Sequence, residues 1–341
     1  MSLRWSRRPE GSTWGDFGPD DERGRLNLLT PEKVLQGIAE VREGLTFCLS
    51  LPLDLPGGNV LNPRRHPPQI TPTRRANGRP NMNFPVCEEV DGATDVICDD
   101  RALIHLQYST QWDSLAHVGS LFDADGTGAA PTFYNGFRGG RDIVGPSTPE
   151  AADQPSRAKR LGIERLAETG MQGRAVMIDL RAHLGDAKAK VGYDQLARIL
   201  EADGVVIEPG DMVCLHTGFA ERLIGMGGDP DPKLVRNLCA GLDGRDPRLL
   251  DWITRTGLCA LIADNYAVES YPAGLGPACC ATLPLHEHCL FKLGVNLGEL
   301  WHLTPLAEWL RANGRNRFLL TAPPLRLPGA VGSPTTPIAT V

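Results

Sequence analysis

The feature that most constrains this chain is a set of apolar runs too short to be helices, alternating with stretches of helical periodicity. GRAVMIDL (173–180) reads as a buried strand, GVVIEPGDMVCLHTGF (204–219) as strand, Pro-Gly turn and strand, and GLCALIAD (257–264) and RFLLTAPPL (317–325) as further strands. VGYDQLARILEADG (191–204) is amphipathic and stops at Gly204. Asp246 caps a second helix that runs to Thr256 with Pro247 in its first position, and a third covers Pro305–Asn313. Near the start, Thr30-Pro31-Glu32 opens a helix to Arg42. LTFCLSLPLD (45–54) then alternates as a strand, with Leu45, Phe47, Leu49 and Leu51 on one side. Strands that alternate with helices but also pair directly predict an α/β fold around a mixed sheet. No repeat or boundary is visible, so one domain over 1–341 is expected.

Two segments fall outside this rhythm. Residues 55–95 are rich in Pro, Gly, Asn and Arg; an irregular connection of that length is usually functional, and it reads as a lid or an oligomer-contact segment. Residues 322–341 read as extended or partly disordered.

Composition removes several classes. A net charge of −6 argues against a surface built for nucleic acid. The basic run Arg64, Arg65, His66, followed by Arg74, Arg75 and Arg79, is broken by Pro67 and Pro68 and fits an anion-facing loop. Nine cysteines include no paired CxxC, which speaks against a zinc knuckle, and a chain of 341 residues needs no disulfide scaffold. Cys279-Cys280 sit in a loop with nothing nearby to lower a thiol pKa. The N-terminus lacks a signal-peptide core and no window approaches the ~20 apolar residues of a membrane span, so a soluble, cytoplasmic protein is expected. GxSxG, GxxxxGK[ST] and GxGxxG are all absent, which leaves nucleotide cofactors without support.

Four places carry candidate chemistry. If LIHLQYSTQWD (103–113) is one strand, then His105, Gln107, Ser109, Gln111 and Asp113 share a face, and His117 returns to the same pocket four residues on. A carboxylate beside an imidazole can hold a metal or exchange protons; a solvent-facing edge strand would show the same alternation. In LPLHEHCLFKLGVNLGELWHL (283–303), three of the eight histidines (His286, His288, His302) lie close to Glu299. His286 and Glu299 are ordinary ligands for zinc or manganese, whereas His288 and His302 read as bystanders. LIADNYAVES (261–270) ends a strand at Asp264-Asn265 and reaches Glu269, either as a site or as a turn. LHTGF (215–219) offers His216. Trp112 and Trp301 either wall an aromatic pocket or pack the core.

Together these stretches resemble the metal-dependent cyclase family that includes bacterial kynurenine formamidase and isatin hydrolase. WGDFGPDDERGRLNLLTPEKV, STQWDSLAH, GDMVCLHTGF, ADNYAVES and LHEHCLFKLGVNLGELWHL carry the likeness, which is closest to the longer members. The family string His-x-Gly-Thr-His-x-Asp-x-Pro-x-His falls on Gln107, Ser109, Thr110, Gln111, Asp113, Leu115 and His117, so two family histidines are glutamines here. The resemblance implies a swivelling β/α/β unit, dimeric or tetrameric. It implies one divalent ion, zinc or manganese, held by Asp113, His286, Glu299 and Gln111, with Asp113 and His117 catalytic. Gln107, Trp112, His216, Asp264 and Trp301 are then expected around the substrate. The implied reaction is hydrolysis of a C–N bond in a small amide, formamide or lactam. The alternatives are a metal-independent lyase or cyclodehydratase in the same pocket, and a non-catalytic small-molecule binding protein.

Overall fold

The computed structural model describes residues 4–274, 276 and 280–341. Cys279 therefore lies outside the described residues, while Cys280 is exposed. A curled mixed sheet of nine strands organises the chain. In chain order these are β1 (Thr46–Cys48), β2 (Gln111–Asp113), β3 (Gln172–Asp179), β4 (Met212–His216), β5 (Ala260–Ala263), β6 (Asn296–Glu299), β7 (Arg317–Thr321), β8 (Gly332–Pro334) and β9 (Ile338–Thr340). Their spatial order is β1-β9-β7-β3-β4-β5-β6-β2-β8. Only the central run from β3 through β4 and β5 to β6 is parallel; the flanking pairs are antiparallel. Buried on both faces, β4 and β5 read as continuous apolar stretches, as parallel strands do.

Among the described residues, the α-helices of seven residues or more are α1 (Pro31–Ile38), α2 (Tyr193–Ala202), α3 (Phe219–Gly225), α4 (Pro247–Thr256) and α5 (Thr304–Ala312). Their starts follow the sequence. Thr30 accepts the Lys33 amide, and the Asp246 carboxylate accepts the amides of Arg248 and Leu249 with Pro247 in the first turn. In α4, Leu249 and Ile253 are fully buried, each contributing roughly 1.5–3 kcal/mol of apolar burial.

Several sequence expectations are corrected. α1 stops at Ile38 and not Arg42, because the amides of Glu43 and Gly44 are drawn to the Val341 carbonyl beside β9. The strand expected over 45–54 keeps only Thr46–Cys48; Leu45 is exposed, Leu49 and Leu51 are buried, and Pro52 has no amide to continue a ladder. No strand precedes the Pro209-Gly210 turn. There Asp211, fully buried, gathers the Glu208 amide, the Arg174 guanidinium and the Lys33 ammonium, and fixes a loop. The C-terminal segment is ordered: β8 and β9 pair with the antiparallel flanks and cover edges that would otherwise be left open. The 55–95 region also has structure. It forms two small antiparallel pairs, Gln69–Pro72 with Asp100–Leu103 and Phe84–Pro85 with Val96–Ile97, set outside the main sheet. Among the described residues no helix is long and apolar enough to cross a membrane.

Candidate active site

The strand expected from Leu103 to Asp113 is two strands. One ends at Leu103 in the outer pair, a turn follows in which the Tyr108 amide bonds the His105 carbonyl, and β2 begins at Gln111. Thr110 enforces the break: its hydroxyl donates to the Leu300 carbonyl at 2.5 Å and accepts the Leu51 amide at 2.8 Å, which ties this point to β6's end. The five-residue polar face therefore does not exist. His105 is half-buried against His66, and Ser109 donates to the Pro52 carbonyl. What survives is the pair Gln111 and Asp113 on one face of β2, fully buried.

Antiparallel pairing sets Gln111 opposite Glu299 on β6 and Asp113 opposite Leu297, so Gln111, Asp113 and Glu299 project from the same side of the sheet. On the other side Trp112 stands opposite Gly298, where a side chain would meet Ile262 and Trp301 at 3.0 Å. That gap admits an edge-to-face Trp112–Trp301 pair with centroids 5.1 Å apart. Their indole N–H groups donate to the Ala322 and Gln111 carbonyls. Both tryptophans are thus core residues behind the site, and the expectation that they wall a substrate pocket is corrected.

His286 arrives from the short helical turn Pro284–His286, which runs into a π-helical stretch, Glu287–Leu293. Its Nε2 lies 3.1 Å from Glu299 and 3.9 Å from Asp113. Its Nδ1 lies 2.8 Å from Glu269, whose carboxylate also accepts the amides of Leu285 and His286. Sequence reasoning reached Glu269 without giving it a role; a carboxylate that orients an imidazole from behind leaves no signature in spacing alone. The Gln111 amide N–H₂ donates to Glu299 at 3.1 Å and faces Asp113 at 3.4 Å. Among the described residues, two buried acceptors in this cluster have no hydrogen-bond partner: Asp113 Oδ2 and Gln111 Oε1. Asp113, His286 and Glu299 each offer a ligand atom, all within 4.8 Å of one another. A buried orphan acceptor is costly, and two of them beside two carboxylates fit a divalent cation.

Burial, then the neighbouring Asp113 charge, raises Glu299 above the usual carboxylate range. Burial alone would lower His286, but hydrogen bonds to Glu269 and Glu299 outweigh it and favour the protonated ring. His117 stands 3.8 Å from Asp113, with about a fifth of its side chain exposed. Desolvation holds it below the ordinary histidine range, with Asp113 opposing and His286 and Arg65 reinforcing the shift.

A cavity of about 840 Å³ opens onto this cluster, with His286 and Glu299 among its lining residues. Gln107 lines it, alongside Tyr108, Arg65 and Tyr266. His216 and Asp264 do not reach it. His216 is closed in by Asp179 at 2.7 Å and Thr304 at 3.0 Å. Asp264 accepts the Thr217 amide and hydroxyl and the Gly218 amide at 2.6–2.8 Å. It thereby secures the turn into α3, where Gly218 sits at φ +86°. Both residues hold strand ends in place, because their polar atoms are already satisfied. His288 bonds Thr254, and His302 bonds Glu221, away from the cluster.

The Cyclase family model matches residues 49–270, which include Gln111, Asp113, His117 and Glu269 but end before His286. A crystal structure described as a novel cyclase is 30% identical, covers 97% of this chain and 97% of its own, and superposes with a TM-score of 0.74. Isatin hydrolase A from Ralstonia solanacearum shares the fold at 16% identity, with 91% and 97% of the two chains covered and a TM-score of 0.53. Isatin hydrolase A from Labrenzia aggregata does so at 14% identity, with 90% and 97% covered and a TM-score of 0.53. No curated protein sequence matches the chain. The family model matches well over half of the chain and the 30%-identical structure shares its fold, so this chain belongs to the Cyclase family.

Proposed function

We propose that the chain is a hydrolase that cleaves a C–N bond of a small amide, formamide or lactam with the help of one divalent ion. The observation that carries this reading is the pair of orphaned acceptors, Asp113 Oδ2 and Gln111 Oε1, in a buried cluster with His286 and Glu299 beside a cavity. Asp113, His286 and Glu299 would hold the ion, with the Gln111 carbonyl turned toward it; an amide oxygen is a harder donor than imidazole and favours manganese over zinc. Bound there, such an ion polarises a carbonyl and acidifies water.

The chain's own residues divide the remaining work. Glu269 engages His286 Nδ1, which fixes the ring and directs Nε2 into the cluster. His117, kept neutral near pH 7 by its surroundings, is placed to accept a proton from the attacking water and pass it to the leaving nitrogen. The isatin hydrolases, whose fold this chain shares, are by name hydrolases of isatin; that likeness supports a hydrolase reading and leaves bond and substrate to experiment.

The test joins elemental analysis of purified protein with turnover on N-formyl anilines and cyclic amides, before and after a chelator. Stoichiometric metal and chelator-sensitive hydrolysis support the reading. Hydrolysis that persists in metal-free protein removes the ion from the reaction, elimination or ring closure without hydrolysis favours a lyase or cyclodehydratase, and ligand binding without turnover favours a binding protein.

A further inference from the structure

The cavity is bipolar. Its buried end holds Glu299, the sole acid among its described lining residues, while Arg64, Arg65, Lys188 and Arg236 also line it. Many arginines elsewhere in this protein find carboxylates, as Arg75 meets Glu89, Arg138 meets Asp125, Arg165 meets Glu22 and Arg174 meets Asp211, whereas others such as Arg25 spend their donors on backbone carbonyls. The four cavity cations do not pair with any described acid. Arg65 is the most informative. It is half-buried, it spends one N–H on the Gln107 carbonyl at 2.7 Å, and its charge acts on both His117 and Glu299. Lys188 and Arg236 are tied to each other, the ammonium donating to the Arg236 carbonyl at 2.8 Å. Tyr108, Tyr266 and Tyr271 also line it and supply flat apolar surface.

A guanidinium held in a partly dry wall with donors to spare is a ready receptor for a planar anion. We propose that the cavity selects a substrate that is itself an anion, a planar aromatic amide bearing a carboxylate, and that Arg65 binds that carboxylate. Arg64, Lys188 and Arg236, more exposed, raise the local concentration of anions at the mouth. The amide part of this statement rests on the hydrolase reading; the charge preference does not.

The test uses benzoate and its neutral isostere benzamide as probes, with affinities measured by calorimetry on purified protein and again after chelator treatment. Wild-type protein is expected to bind benzoate at least about tenfold more tightly, the scale of a charge-assisted hydrogen bond. In Arg65→Gln the two affinities should come within about threefold, with the benzamide affinity and the melting temperature unchanged. Arg65→Lys, which keeps the charge, should retain part of the preference and covers the case in which the glutamine variant folds poorly. Equal binding of the two probes by wild type overturns the proposal, as does an undiminished benzoate preference in Arg65→Gln. A preference abolished by chelation alone also overturns it, because the bound ion would then be what reads the carboxylate. Failure of every amide to turn over would overturn the hydrolase reading and leave the charge preference standing on its own measurement.

Discussion

Two buried histidines sit near the ends of sheet strands, each flanked by carboxylates, and they differ in one respect. His216 is satisfied on both nitrogens, by Asp179 and Thr304, and nearby Asp264 spends its oxygens on two amides and a hydroxyl. His286 is also bonded on both sides, but its neighbours Asp113 and Gln111 retain acceptors with no partner, and its cluster opens to the cavity. A histidine beside a carboxylate is therefore no mark of a site in this fold. Polar atoms left unsatisfied in a dry place, with access to solvent through a cavity, are the better mark.

The comparison is broken most directly at Asp113. Asp113→Asn keeps the size and removes the charge; the expected result is metal content near zero and turnover lower by roughly 10³-fold, the scale of several kcal/mol of lost electrostatic stabilisation. Near-native circular dichroism should accompany it. Full metal occupancy in that variant would remove Asp113 from the ligand set. Glu269→Gln tests the support behind His286. Loss of an orienting carboxylate typically costs 10–100-fold in metal affinity, to be read by competition with a chromogenic chelator, and an unchanged affinity would reduce Glu269 to a structural role.

At the closed cluster the same logic predicts the opposite split. His216→Phe leaves Asp179 and Thr304 without their shared partner, so denaturant unfolding should show a loss of about 1–3 kcal/mol. Metal content should equal that of wild type. A variant that lost metal while keeping its stability would show that the two clusters are coupled and not independent.

The sequence displayed the fold's centre better than its site. β3, β4 and β5 and the caps of α1 and α4 follow from apolar runs and from Thr30 and Asp246, because those signals are local. Asp113, His286 and Glu299 were legible as residue types, and only long-range pairing of β2 with β6 and the approach of the 284–286 turn unite them. The alternation at 103–113 misled because period two is as compatible with a turn as with a strand when Thr110 has tertiary hydrogen bonds to make. His216, Asp264 and the two tryptophans were misplaced because spacing does not record whether a polar atom already has a partner. Arg65 stood in the basic run, but nothing local showed that its charge would face inward.

The smallest expected effect concerns a third histidine, outside both clusters. His288 bonds Thr254 and is pushed down to about 4, chiefly by burial and then by the Lys292 charge. A base whose folded pKa lies below its unfolded value of about 6.5 binds its proton more readily when unfolded. Stability is then fully present above pH 6.5 and declines as the pH falls from there toward 4, where the folded ring also takes up its proton. Urea midpoints measured across that window should slope downward in wild-type protein. His288→Asn, which keeps a polar atom near Thr254 and cannot titrate, should flatten part of that slope while leaving the pH dependence of metal binding as it was. An identical slope in the variant would place the acid sensitivity elsewhere. A change in metal binding would mean that the π-helical stretch following His286 transmits strain into the open cluster, and that the separation between the structural and the chemical histidines is incomplete.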